Sequence, residues 1–409
     1  MLTNLESSER KKMAESYSSA ALVIGRALHP PWNEGTRVIG WNFARAASTL
    51  RPVKIVSLTQ ESFKTRENGQ LFVEHVPTRV GYGMMGDYLG LCPVIRRANA
   101  IMATAQTGVV HLIGLPLALA PWLRRRGVRV VAHVALAEQA YAGSIERLRG
   151  FLAHRAFDRW VDAYALSSMA LLQPLLNRGL PKSKLAILPS AIDTSLYQPG
   201  DRHQARAQLG LGRDELIVLY IGTLSPIRFP VMRIGEALRQ IGPQTKTTTR
   251  LFGFAPAVTH DYNQAWAASV SQQLQGITNV TAEIVVKDMT DADKITWYRA
   301  ADAVLLPFTG PVAVEPPLTL LEAMGCGAVV LATPQANLSH LVKSGHNGLL
   351  WETSSDMADS LVAMYHRRDE PDIPFMRENA RMTIVQQHSL AAAAEAAVRV
   401  WETIARSSV

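Results

Sequence analysis

Cysteine is scarce in this chain. Cys92 and Cys326 are the only two in 409 residues, which rules out a disulfide framework, and neither lies in a metal-binding spacing. A reducing, cytoplasmic setting follows. The opening stretch "MLTNLESSERKKMAES" is polar and charged, without the apolar segment of a secretory leader. No apolar run reaches the ~20 residues that cross a bilayer. Acidic residues are missing from one long interval, Tyr88 to Ala137, which nevertheless contains Arg96, Arg97, Arg124, Arg125, Arg126 and Arg129. Such an interval is either a solvated basic face or a surface turned toward phosphate or anionic lipid. Nucleic acid is not expected as a partner, because no recognition motif or aromatic-interleaved basic stretch accompanies the charge.

What is present suits a globular protein of two domains. Hydrophobic residues make up 48% and charged residues 19%, enough apolar surface for real cores at this length. The balance of 42 basic against 34 acidic residues gives +8, which favours an anionic partner. Short apolar runs alternate with longer helical patterns: "AALVIGRAL", "PVKIVSLT", "GVVHLIGL", "VRVVAHVAL" and "AYALSS", then "ELIVLYIG", "TTRLFGFA", "DAVLLPF", "GAVVLAT" and "NGLLWE". That alternation predicts parallel sheets with crossover helices, and the near-continuous apolar character predicts strands covered on both faces. Between Leu188 and Gln204, Pro189, Pro199 and Gly200 mark a linker. The expected division is residues 1–192, residues 193–388, and a closing helix over 389–409 that packs back on the first domain.

Several segments could carry chemistry. "GYGMMG", Gly81 to Gly86, matches the dinucleotide fingerprint in letters, but the acid that should bind ribose about 20 residues on falls in the acid-free interval. It reads as a glycine-rich loop. Gly35 opens a helix after the first strand, where backbone can approach a ligand and free N–H groups favour an anion. His133 ends a very apolar strand, the end at which ligands gather in open α/β sheets; the plain alternative is a satisfied core histidine. After "ELIVLYIG", Gly222 and Thr223 occupy a turn, and Arg228 offers the planar fork that suits phosphate.

The stretch "VEPPLTLLEAMGCG" starts a helix with Pro316 and Pro317, where a missing N–H costs nothing. The amides of Leu318, Thr319 and Leu320 would then face outward as an anion site. Glu315 and Glu322 would lie about two turns, roughly 10 Å, apart on nearly one face. One acid could accept from ribose hydroxyls and the other from a sugar, with phosphates over the helix end.

These residues resemble retaining glycosyltransferase family 4. The stretch "VEPPLTLLEAMGCGAVVLATPQANLSHLVKSGHNGLLW" is similar to that family's C-terminal signature of two glutamates, a small-residue turn and an Asn-Gly ending. "WYRAADAVLLP" resembles the segment before it, "IGTLSPIRFP" the phosphate loop, "LAILPSAIDTSLYQP" the interdomain segment, and "VVAHVAL" the strand that ends in histidine. The resemblance implies an α/β protein of GT-B fold, two Rossmann-like domains facing a central cleft, with the acceptor on the first domain and the donor on the second. It further implies Glu322 on the nucleotide ribose, Glu315 on the donor sugar, and Arg228 on the diphosphate. His133 would reach a sugar hydroxyl near the reaction centre, and Gly35 would lie near the phosphates. Neither metal nor cofactor is implied. The substrates are a nucleotide-diphosphate sugar and a sugar, lipid-linked or small-molecule acceptor. The expected location is cytoplasmic, with peripheral contact at the inner face of an anionic membrane if the acceptor is lipid-linked. This chain departs from the pattern in three places. Six residues rather than the usual seven separate the glutamates, Thr223 and Arg228 replace the loop's arginine and lysine, and Ser190-Ala191 replaces Asn-Gly. Two other readings share the fold: a nucleotide-sugar epimerase and a non-catalytic nucleotide-sugar binding protein.

Overall fold

In the computed structural model of the chain, every apolar run quoted above contains a strand, and the strands form two separate sheets. The structure describes residues 20–26, 28, 35–59, 64–67, 71–77, 92–104, 107–124, 127–135, 156–245, 247–257, 260–310, 315–368 and 370–406. The Gly81–Gly86 loop therefore lies outside the described residues. Two compact units result. The first comprises Met1–Ala191, Ala313–Glu315 and Leu390–Val409, and the second Ile192–Val312 and Pro316–Ser389.

The first unit is built on β1 (Ala20–Arg26), β2 (Val53–Thr59), β3 (Lys64–Glu67), β4 (Leu71–Pro77), β5 (Thr107–Ile113), β6 (Arg129–Val134), β7 (Ala163–Leu166) and β8 (Leu185–Ile187). Their spatial order is β3-β4-β2-β1-β5-β6-β7-β8. Only the β3–β4 pair is antiparallel. Successive side chains of a strand point to opposite faces, so Leu22 and Ile24 join one core while Ala21 and Val23 join another. Helix α1 (Gly35–Ala47) covers the second face and helix α2 (Cys92–Thr104) the first. Gly40 permits the close approach of α1, since a Cβ there would sit 2.9 Å from Leu28 and 3.0 Å from Ile113.

In the second unit, β9 (Leu216–Ile221), β10 (Thr249–Ala255), β11 (Val280–Val286), β12 (Ala303–Leu306), β13 (Val329–Ala332) and β14 (Leu349–Leu350) run parallel in the order β11-β10-β9-β12-β13-β14. Helix α3 (Arg202–Gln208) precedes the sheet, and α4 (Val231–Ile241), α5 (Asp291–Ala300), α6 (Leu318–Gly325) and α7 (Asp372–Gln387) are among the helices around it. The last helix, α8 (Leu390–Arg406), returns to the first unit. There its Ala393, Ala397, Val400 and Trp401 join the core that holds Val23 and Phe43.

The sequence reading lacked β3, β4, β8 and β11, and each miss has a reason. β11 alternates half-buried and exposed residues along "VTAEIVV", as suits a sheet edge. β4 carries a buried acid, Glu74, which meets Arg97 at 2.6 Å. β3 and β8 are four and three residues long. The Arg97 pair also corrects the picture of an uncompensated basic surface. Arg124 and Arg129 both reach Asp162, at 3.1 and 3.2 Å, so acids distant in sequence neutralise half of the six arginines. Among the described residues, no helix is long and apolar enough to cross a membrane.

Arginines also fasten the chain leading into the second unit. Arg381 donates to the carbonyls of Thr194, Tyr197 and Gly325, and Arg299 to that of Gln198. Arg206 is buried and donates to the carbonyls of Ala300, Gly212, Arg213 and Glu215 and to Asp302. Asp302 in turn accepts from the Ile217 amide at 2.7 Å. This network ties α3 to the starts of β9 and β12. Arg206→Met strands those acceptors and a buried carboxylate, so unfolding by urea should show a loss of about 3–5 kcal/mol. A loss below ~1 kcal/mol would mean that Arg202, the other partner of Asp302, suffices alone.

Candidate functional site

In the second sheet the order reverses between β9 and β12, because β10 and β11 lie on one side and β13 and β14 on the other. Loops leaving the carboxyl ends of strands diverge at such a point and open a crevice. The loop after β9 is tightly made. Gly222 donates to the Phe254 carbonyl at 2.9 Å, and a Cβ on it would meet the Tyr220 hydroxyl at 3.0 Å. That hydroxyl holds the Thr223 carbonyl at 2.8 Å. A turn then runs from Ser225, whose carbonyl accepts from Arg228 at 3.1 Å and Phe229 at 2.7 Å. The turn is fastened to the segment after β12 by the Thr309 amide, 2.8 Å from the Ile227 carbonyl. The start of α6 joins them through Thr319, whose hydroxyl donates to the Ile221 carbonyl at 3.2 Å.

Arg228 is the uncompensated charge here. Its half-buried side chain makes no hydrogen bond or ion pair with any described residue. Its field nevertheless reaches Tyr220, where burial pushes the phenol up and the guanidinium pulls back. A cation left open beside a helix N-terminus favours an anion. Helix α6 differs in detail from the sequence reading. Pro316 and Pro317 precede the helix instead of filling its first turn. The Leu320 amide donates to the Pro317 carbonyl at 3.0 Å, which narrows the outward-facing set to Leu318 and Thr319. The small residues after Glu322 are explained by packing: a Cβ on Gly325 would lie 2.7 Å from Ile192.

Glu322 and Glu315 do not share a helical face. Glu322 sits within α6, buried, accepting from the Tyr298 hydroxyl at 2.9 Å and from the Lys294 ammonium at 3.3 Å. Burial works against the Lys294 charge, but Glu322 and Asp291 outweigh it and hold its pKa above the ordinary lysine value. Burial, reinforced by Glu322, likewise drives the Tyr298 phenol well up. The carboxylate is thus fixed in place by two donors. Glu315 precedes α6 and groups with the first unit. Its amide donates to the Ala135 carbonyl at 2.9 Å, and its own carbonyl accepts from the Ser167 hydroxyl at 2.6 Å. The structure therefore brings Glu315 to the end of β6 beside His133. The helical geometry inferred from sequence failed because two prolines ended the extended segment before α6 began.

In the first sheet the order reverses between β1 and β5, and α1 begins there with Gly35. His133 lies one residue before the end of β6, opposite Ile113 of β5. Its Nδ1 is 3.3 Å from Nε2 of His111, a residue wholly buried in β5. Trp401 of α8 donates its indole N–H to Nδ1 of His111 at 3.0 Å. Phe43 of α1 stacks on His133 with centroids 5.4 Å apart and planes within 2°. Burial lowers the His133 pKa to about 4 and the His111 pKa well below the ordinary value. Both rings are neutral at pH 7. Sequence reading missed His111, Trp401, Lys294 and Tyr298; the single polar residue inside "GVVHLIGL", His111 itself, was the only local signal.

Residues 215–367 match the family model of glycosyl transferases group 1. That part of the chain is similar to group 1 glycosyltransferases. The D-inositol 3-phosphate glycosyltransferase of Kribbella flavida is 29% identical over 192 residues, covering 46% of this chain and 44% of that protein. The same-named enzyme of Nocardia farcinica is 28% identical over 202 residues, covering 47% and 42%. The chain therefore spans less than half the length of these curated relatives. Among solved structures, Anabaena HepE, crystallised with UDP, shares 18% identity at a TM-score of 0.71 over 94% of this chain and all of that one. Sucrose-phosphate synthase of Thermosynechococcus elongatus shares 18% at 0.70 over 95% of this chain and 100% of that one. Those likenesses show the fold, which is GT-B. The matched segment covers the β9 loop, Arg228, Glu315 and Glu322.

Two outcomes follow for stability. Glu322→Ala leaves Lys294 and Tyr298 unpaired, and should cost about 1–3 kcal/mol in a chemical melt. Glu322→Gln, which keeps an acceptor for Tyr298, should cost less. Lowering pH should also destabilise the first unit. Unfolded histidine takes up a proton near pH 6.5, whereas His133 resists until about 4. The contribution is complete above pH 6.5 and is lost toward pH 4, by at most about 1.4 kcal/mol per pH unit per histidine. Flat stability between pH 7 and 4.5 in the wild type would contradict this environment.

Proposed function

We propose that the protein is a retaining glycosyltransferase that moves a sugar from a nucleoside-diphosphate sugar to an acceptor hydroxyl. The observation that carries the reading is Arg228. A guanidinium without a carboxylate partner among the described residues stands at the switch point of the second sheet, inside the segment similar to group 1 glycosyltransferases, in a loop tied to the start of α6. Such a cation suits a diphosphate, and Glu322, fixed by Tyr298 and Lys294, suits ribose hydroxyls. Within the second unit, Gly222, Thr223, Leu318 and Thr319 are the groups assigned to the phosphates. The acceptor, a sugar, a lipid-linked carrier or a small molecule, belongs to the first unit. There His133 donates to a sugar hydroxyl and Glu315 contacts the sugar. That HepE was crystallised with UDP and, separately, with UDP and glucose supports a nucleotide-sugar donor on this fold.

The reaction breaks the bond between the anomeric carbon and the diphosphate and forms one to the acceptor oxygen on the same face. The acceptor proton passes to the departing phosphate oxygen. Arg228 and the α6 N-terminus stabilise the charge that develops there, so the step needs no metal.

Calorimetry with UDP in the presence of EDTA, and product analysis by anomeric NMR, test this reading. Arg228→Ala should weaken binding by about 10–100-fold, Arg228→Lys by less, and Thr223→Arg should strengthen it. Undiminished binding to Arg228→Ala would place the diphosphate elsewhere. A released or epimerised free sugar would favour an epimerase, and inversion at the anomeric carbon would refute retention.

A further inference from the structure

We propose that Trp401 and His111 are positioning residues that fix the ring tautomer of His133, so that His133 offers an Nε2–H donor to its substrate. The inference rests on the reading above for what His133 touches, but its geometry is independent of it. Every hydrogen bond in the chain has only one assignment. An indole nitrogen can only donate, so Trp401 leaves Nδ1 of His111 as an acceptor at 3.0 Å. A neutral imidazole carries one proton, which on His111 must then sit on Nε2. That nitrogen faces Nδ1 of His133 at 3.3 Å. Nδ1 of His133 accepts, and its proton sits on Nε2.

His133 Nε2 is out of contact with solvent and has no partner among the described residues. The relay therefore ends in a donor with nothing to receive its proton. An oxygen acceptor such as a hydroxyl or ether of a sugar is the chemistry that completes it; a second donor, such as an ammonium group, is not. Protonation of either ring would set two donors face to face, Trp401 against His111 or His111 against His133. The Arg51 guanidinium, 5.6 Å from the Trp401 ring centroid, adds a further charge opposed to a histidinium there. Ring planes are held as well. Phe43 stacks on His133 at 5.4 Å and meets Trp401 edge-on at 6.3 Å. The residue that starts the relay belongs to the last helix, 290 positions from His111.

Long-range proton–nitrogen NMR on the full-length, ¹⁵N-labelled chain at pH 7 reads both tautomers without any substrate. Both His111 and His133 should show Nε2–H in the wild type. Trp401→Phe keeps one aromatic ring but removes the donor together with part of the buried volume, so the tautomer readout is taken on a variant shown to be folded. In that variant the tautomers of both histidines should become mixed, and kcat for sugar transfer should fall at least about ten-fold with donor KM little changed. His133 found as the Nδ1–H tautomer in the wild type would overturn the proposal, even if the variant fails to fold. So would unchanged tautomers or unchanged kcat in a folded Trp401→Phe. A wild type that binds no nucleotide and transfers no sugar would defeat the transferase reading; the NMR spectra would still decide the relay.

Discussion

A parallel sheet has two apolar faces, and water can be left at neither. In this chain that requirement generates the architecture. The parallel strands are linked by segments that return across a face, so the turns that leave them gather at the carboxyl edge; the antiparallel β3 is the exception among the described strands. Arg228, the start of α6, Gly35 and His133 occupy that edge in their respective units because the topology puts them there. The same requirement explains the course of the last helix. The first sheet lacks cover over Val23, Ile55 and Val131 until the alanine-rich face of α8 and Trp401 join Phe43, and the helix belongs to the first unit for that reason.

Charge is managed in two ways. Arg206 is buried and meets five acceptors; it holds structure. Arg97, Arg124 and Arg129 find carboxylates on neighbouring elements and are neutralised. Arg228 has no such partner among the described residues, which is why the proposed anion site is centred on it. Glu322 lies between these cases. Lys294 and Tyr298 hold its carboxylate in a fixed position while leaving lone pairs for further donors. Buried polar groups with few rotamers left are the usual means of holding a binding geometry.

In the sequence, the runs that pack against both faces were the easiest to read. "LIVLYI" and "VVLA" bury almost every residue, so hydrophobicity alone marks them. Glu74 in β4 and the alternating pattern of β11 defeated that signal, since a strand that pairs a buried acid or edges the sheet does not look apolar. Loop residues were legible where composition limits the backbone: Gly222 needs room that a Cβ would take from Tyr220. Glu315 was misplaced because a seven-residue spacing says nothing about where a helix starts. Pro317 decided that.

The sequence by itself therefore determined the two-sheet architecture, and it singled out Arg228, Glu322 and His133 as candidates. These depend on local pattern and on one residue's chemistry. Only the tertiary structure decided which charges are compensated, where Glu315 lies, and how Trp401 meets His111 across 290 positions. Those are meetings between residues remote in the chain. No local preference encodes them; they exist only once the sheets are covered and the helices have returned.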